Sequence, residues 1–248
     1  MLSHLVFDKF VRMLLEGYCD ATPPADIALP TLFATVREAA FKVEAGTETS
    51  RVEAGAGAEA SKVDGADPRR TSMAGLTLRM FSVWRTRLRV VHGSGVPDVE
   101  ALRGISYAEW ADAVHTMFWR MPHIDHLHLE CVAVTIAYCN MLMGSRAMVH
   151  VQEMAPPKRF TPGRLDRGTV YAVMRATKTR ELGRAFCREL LTWCAEQLTA
   201  RSSRIAARQD GGIEDGNMPL PEDARFATEA ERVNMYLLRL DLSDEEKE

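Results

Sequence analysis

The chain has no C-x-x-C pair, no sustained strand-like alternation and no large excess of either charge. It also has no apolar stretch approaching the roughly 18 residues that a membrane span requires. Each absence removes a class of function. A formal net charge of -3 over 248 residues excludes a broadly basic nucleic-acid binder, although it permits local patches. The cysteines, Cys19, Cys131, Cys139, Cys187 and Cys194, are odd in number and come with no secretory signal. That usage reads as reduced, buried thiols in a cytoplasmic or nuclear protein. The spacings of Cys131 to Cys139 and Cys187 to Cys194 place each pair on one helix face. The N-terminal MLSHLVFDKFVRMLLEG carries Asp8, Lys9 and Arg12 inside its apolar pattern, so it is expected to be part of the folded chain and not a leader. The expectation is a soluble protein.

Catalytic signatures are missing as well. GSG at 93–95 has neither a preceding strand nor a following Lys-Ser/Thr, so it is not a phosphate loop. No serine or cysteine comes with a His/Asp set, and no carboxylate pair is marked by its context. The expectation is a non-enzymatic protein, with no catalytic residue and no cofactor.

What is present is helical periodicity in an otherwise ordinary globular composition, 46% hydrophobic and 26% charged. Residues 2–18 space Leu2, Leu5, Val6, Phe10, Met13, Leu14 and Leu15 at helical intervals, and 30–44 can form a second short helix. Composition then collapses. Residues 45–72 are mostly Ala, Gly, Glu and Ser, and they bury too little to offset the entropy of ordering. A low-complexity, disordered insert is expected there.

From 73 a helical stripe of Leu76, Met80, Val83, Trp84, Leu88 and Val91 resumes, and HGSGVPD at 92–98 stops it. ISYAEWADAVHTMFWRM at 105–121 opens on Ser106 with Glu109 three residues later, which predicts a capping box. Residues 127–143 are apolar nearly all round and predict a helix central to a bundle. A proline-rich loop at 155–163 precedes helices at 164–181 and 184–200, the latter with a stripe of Ala185, Phe186, Leu190, Leu191, Cys194 and Leu198. A polar loop at 208–223 leads to a last helix at about 224–240. The fold class predicted is all-α, without an internal repeat.

Two stretches carry candidate chemistry. HIDHLHLEC at 123–131 supplies His123, Asp125, His126, His128, Glu130 and Cys131, all possible ligands. Zinc needs three or four of them converging tetrahedrally. The histidines at i, i+3 and i+5 cross a turn into a helix start, so the spacing favours a solvated helix start over a metal site, and no metal is predicted. The second stretch is basic: Lys158, Arg159, Arg164, Arg167, Arg175, Lys178, Arg180, Arg184 and Arg188, against Asp166 and Glu181. Few aromatics interleave, so base stacking is poorly supported. The run can bind nucleic-acid phosphate, face an acidic partner, or be solvated.

The order of these segments resembles the cyclin family, and within it the single-box P/U type associated with phosphate signalling. A cyclin box packs five helices around a central apolar helix. ISYAEWADAV at 105–114 looks like that family's opening helix, and ECVAVTIAYCNMLM at 130–143 like the next. RLDRGTVYAVMRATKTRE at 164–181 holds Arg167 and Lys178 eleven residues apart, as the family's third motif does. TEAERVNMYLLRLDL at 228–242 has Glu231 followed by Met235, Leu237, Leu238, Leu240 and Leu242, the pattern of the final helix. An arginine and an aspartate that the family pairs are replaced together, by Ala113 and Asn140, so neither charge is left alone.

The resemblance implies a cyclin-box-like five-helix bundle over 73–242, with an N-terminal helical extension (1–44), the insert (45–72) and an acidic tail (243–248). It implies a regulatory subunit of a cyclin-dependent-type protein kinase. Lys178 and Glu231 would then hydrogen-bond the backbone of the kinase's regulatory helix and of the strand near it, with Arg175 and Arg167 as supporting contacts. The alternatives are a helical adaptor for another protein and a nucleic-acid-associated protein using the 158–188 run. Neither a membrane nor a cofactor is expected.

Overall fold

The computed structural model describes residues 4–19, 23–39, 72–88 and 99–210. The protein is all-α, and among the described residues the only strands form a two-stranded hairpin. The expected disordered insert (apart from its last residue, Ser72), most of the polar loop at 208–223, the helix at 224–240 with Glu231, and the acidic tail lie outside the described residues. The chain divides into two compact units, Phe7–Met117 and Phe118–Glu248, the second also taking in Met1–Val6.

In the first unit, α1 (His4–Glu16) buries Phe7, Phe10, Val11, Leu14 and Leu15. A second helix, α2, runs over 29–39 and buries Leu32, Phe33 and Val36. The continuous helix expected from 73 is replaced by a hairpin and a shorter helix. Strands β1 (Ser72–Met73) and β2 (Leu76–Thr77) pair antiparallel around Ala74 and Gly75, both at positive φ. Helix formation then waits for a cap. The Thr77 hydroxyl accepts from the Met80 N–H and starts α3 (Leu78–Val83), which widens into a π-helical segment at Trp84–Leu88.

α4 (Val99–Arg103) leads to α5 (Tyr107–Val114). The predicted capping box is present: Ser106 accepts from the Glu109 N–H while the Glu109 carboxylate reaches back to the Ser106 N–H. α5 seats Trp110, whose indole N–H donates to the Met73 carbonyl at 3.0 Å and whose ring packs 5.2 Å from that of Phe33. After α5 a π-helical segment, His115–Arg120, closes the expected 105–121 helix.

The second unit is built on α6 (Glu130–Met143), in which every residue from Val132 to Cys139 is buried. That unbroken burial is what an all-round apolar sequence requires. α6 packs against α7 (Ser145–Met154) and α9 (Arg180–Asp210), and α7 also meets α9, where His150 stacks on Trp193 at 4.4 Å. Between α7 and α9 stands α8 (Arg167–Ala176). The break expected after 181 falls instead at 177–179, so Arg180 and Glu181 begin α9. α9 is also longer than the expected 184–200 segment, and it exposes Ala185, which the sequence stripe had counted as buried.

Candidate functional site

α8 is placed from its N-terminal side. Asp166 caps it, its Oδ1 accepting from the Thr169 N–H at 2.8 Å and the Thr169 hydroxyl at 3.0 Å, while its Oδ2 accepts from the Thr161 N–H. Burial raises the Asp166 pKa, but these hydrogen bonds outweigh it and hold the carboxyl below its ordinary value. Buried Gln152 of α7 secures the preceding loop. Its amide nitrogen faces the carbonyls of Thr161 and Arg164 and the Thr169 hydroxyl, and its oxygen accepts from the Gly163 N–H at 3.0 Å. The proline-rich loop is thus a fixed support that sets where Arg167 begins the helix.

The C-terminal end is a tight corner. Thr177 closes α8, its N–H and hydroxyl both donating to the Val173 carbonyl, at 2.9 and 2.8 Å. Thr179 opens α9 by accepting from the Leu182 N–H. Exposed Lys178 sits between these two threonines. From across the unit, Nε2 of His128 donates to the Thr177 carbonyl at 2.9 Å. Both flanks of Lys178 are therefore held while its side chain is in solvent.

Along α8, Arg167, Tyr171 and Arg175 recur every four residues and are exposed, Tyr171 at 63%. Beside them an open cleft of about 320 Å³ is lined by Arg167, Val170, Tyr171 and Met174 and, on its other wall, by His123 and His126. A cationic and aromatic face bordering a partly apolar cleft offers donors to acidic or other acceptor groups. The structure brings Arg167, Arg175 and Lys178 onto one helix and its corner. Glu231 lies outside the described residues.

The HIDHLHLEC stretch is divided among separate tasks. His123 and His126 line the cleft, His128 pins the corner, Glu130 begins α6, and Cys131 faces α9. Among the described residues no group of three or more His, Cys, Asp or Glu is arranged to hold a metal ion. None of the described helices is long and apolar enough to cross a membrane.

Sequence reasoning weighed His128 only as a possible metal ligand and missed its contact with Thr177, and it missed Gln152. A histidine before a helix, and a glutamine inside one, carry no periodic signal for a partner 49 or 11 residues away. No protein-family model matches the chain, and no curated protein or solved structure matches it.

Proposed function

We propose that the chain is a cyclin-like regulatory subunit, a non-catalytic helical protein that binds a cyclin-dependent-type protein kinase and activates or directs it. The observation that carries this reading is Lys178, exposed at a corner whose two flanks are capped and pinned, at the end of a helix exposing Arg167, Tyr171 and Arg175. A lysine on an already ordered backbone reaches partner carbonyls with less entropy left to lose on association. Tyrosine and arginine are the residue types that most often dominate interface energies. The resemblance to cyclins supplies the partner: Lys178, with Glu231, hydrogen-bonds the backbone of the kinase's regulatory helix. Contacts made only to the active arrangement shift the kinase toward it. Such a subunit works in the cytoplasm, the nucleus or both.

Affinity purification of the wild-type chain and of a Lys178→Ala/Glu231→Ala variant, with captured proteins identified by mass spectrometry, tests the reading. Truncating one partner of an interface charge pair costs about 2–5 kcal/mol, so capture of the kinase should weaken about 30-fold or more. A kinase held equally well by both chains would overturn the assignment.

A second reading, a helical adaptor for a non-kinase protein, draws on the cleft, whose His123 and His126 wall lies outside the cyclin-like motifs. A non-kinase partner lost with Tyr171→Ala but kept by the Lys178→Ala/Glu231→Ala variant would favour it.

A further inference from the structure

Four cysteines stand as two facing pairs along the contact between α6 and α9: Cys131 with Cys187, and Cys139 with Cys194. The steric fit of the helices agrees with this. A Cβ placed on Gly183 would lie 3.9 Å from the Cys131 sulfur, and Cys187 is one turn further along α9. The pairs differ in access, since Cys139, Cys187 and Cys194 are buried whereas Cys131 is partly exposed.

The surroundings polarise the first pair. Cys131 is in the first turn of α6, where helix amides favour an anion, and Arg184 of α9 adds positive charge. Its thiol is held at about 7, chiefly by the hydrogen bond from Cys187 and against the effect of burial, with help from the Val132 amide, its own amide and Arg184. Cys187 moves the other way, pushed up by Cys131 and by burial. The result is a partly exposed nucleophile with a protonated thiol directly behind it.

We propose that Cys131 and Cys187 form a peroxide-responsive dithiol that closes to a disulfide between α6 and α9. The Cys131 thiolate attacks one oxygen of a hydroperoxide, the O–O bond breaks, and the departing hydroxide or alkoxide takes a proton. Cys131 is left as a sulfenic acid. The Cys187 sulfur then displaces hydroxide from that sulfur, forming the S–S bond. The Cys187 proton and the hydroxide leave as water. Two thiols lose two electrons, and the peroxide gains them. The Cys139–Cys194 pair, sealed in the core, stays reduced. The inference rests on the α6–α9 contact and is independent of the kinase reading.

At pH 7 a thiol of pKa about 7 holds about fifteen times more thiolate than an unperturbed one, and its lower basicity costs about fivefold in reactivity. Cys131 should therefore react about threefold faster than an ordinary exposed thiol. The experiment is treatment of the folded full chain with hydrogen peroxide near one equivalent, followed by intact-mass analysis and peptide mapping. The expected result is loss of two hydrogens and a mapped Cys131–Cys187 link. In Cys187→Ser, dimedone should trap a sulfenic acid on Cys131. In Cys131→Ser the link should be absent, and in Cys139→Ser it should form as in wild type. Wild-type mapping needs no variant to fold. A native chain that shows no Cys131–Cys187 link, or is oxidised first at Cys19, overturns the proposal.

Discussion

Nε2 of His128 lies 2.9 Å from the carbonyl oxygen of Thr177, 49 residues away, and since a carbonyl only accepts, that ring nitrogen carries the proton. The contact joins the segment before α6 to the corner between α8 and α9. Thr177 is almost fully buried, so its carbonyl depends on this donor. His128→Ala should cost about 1 kcal/mol of stability. Amide exchange should speed up over 177–182, and the backbone around Lys178 should lose order with it. His128→Gln keeps an N–H donor and should recover part of the loss. Unchanged exchange in His128→Ala would mean the corner holds without it.

Asp166 supports the other end of α8. Replacing an N-cap aspartate by alanine costs about 1 kcal/mol. The pH dependence has a definite sign. The folded-state pKa of Asp166 is depressed, so its contribution is complete above the ordinary carboxylate value of about 4 and is lost as pH falls through the lower folded value. Asp166→Asn keeps the cap acceptor but cannot titrate. Denaturant midpoints measured from pH 6 down to pH 2 should show a shallower acid decline for Asp166→Asn than for wild type. Parallel declines would contradict the cap as a pH-dependent element.

Gln152 should be the more severe site. Its amide serves the Thr161 and Arg164 carbonyls, and its oxygen serves the Gly163 N–H. Gly163 sits at φ 72, and a Cβ there would fall 3.0 Å from that of Ser145, so the turn needs glycine. Gln152→Leu leaves three partly buried backbone groups without this partner, at about 1 kcal/mol each. Stability should fall by about 2–4 kcal/mol, and proteolysis should appear within 155–166. Gln152→Glu would be milder toward the Gly163 N–H but repulsive to the two carbonyls. A Gln152→Leu midpoint within error of wild type would mean that the 161–166 loop holds without these hydrogen bonds.

The parts of this architecture that could be read from the sequence are those fixed by local periodicity or by capping chemistry. Ser106 and Glu109 announce their box because both halves lie within four residues. α6 announces its burial because nothing along it is charged after Glu130. The 177–179 corner gives no such sign. Thr-Lys-Thr contains neither glycine nor proline, so the sequence places the break between the two expected helices after 181 and not at 177–179. The hairpin at 72–77 is equally silent, since two-residue strands are too short to alternate. At the candidate site, cations and their order were legible in the sequence. The pinned backbone beneath Lys178 was not, because it depends on a histidine distant along the chain.

Gly183 sets how closely α9 approaches α6. A Cβ there would lie 2.5 Å from Leu129 Cδ1 and 3.4 Å from Val132 Cγ2. Two effects oppose each other in Gly183→Ala. Helix propensity favours alanine over glycine by about 1 kcal/mol, while crowding in a packed core costs about 1–3 kcal/mol. The crowded atom at Leu129 is the end of a side chain that can rotate away, which places the crowding near its lower bound. Gly183→Ala should therefore change stability by less than about 1 kcal/mol. Gly183→Leu has no comparable escape, because its longer chain must also displace Val132 and the Cys131 sulfur. It should cost at least about 2–3 kcal/mol and raise the accessibility of Cys187 to alkylation by prising the helices apart. Equal denaturation midpoints for the alanine and leucine variants would show that α9 does not rest on α6 at this point.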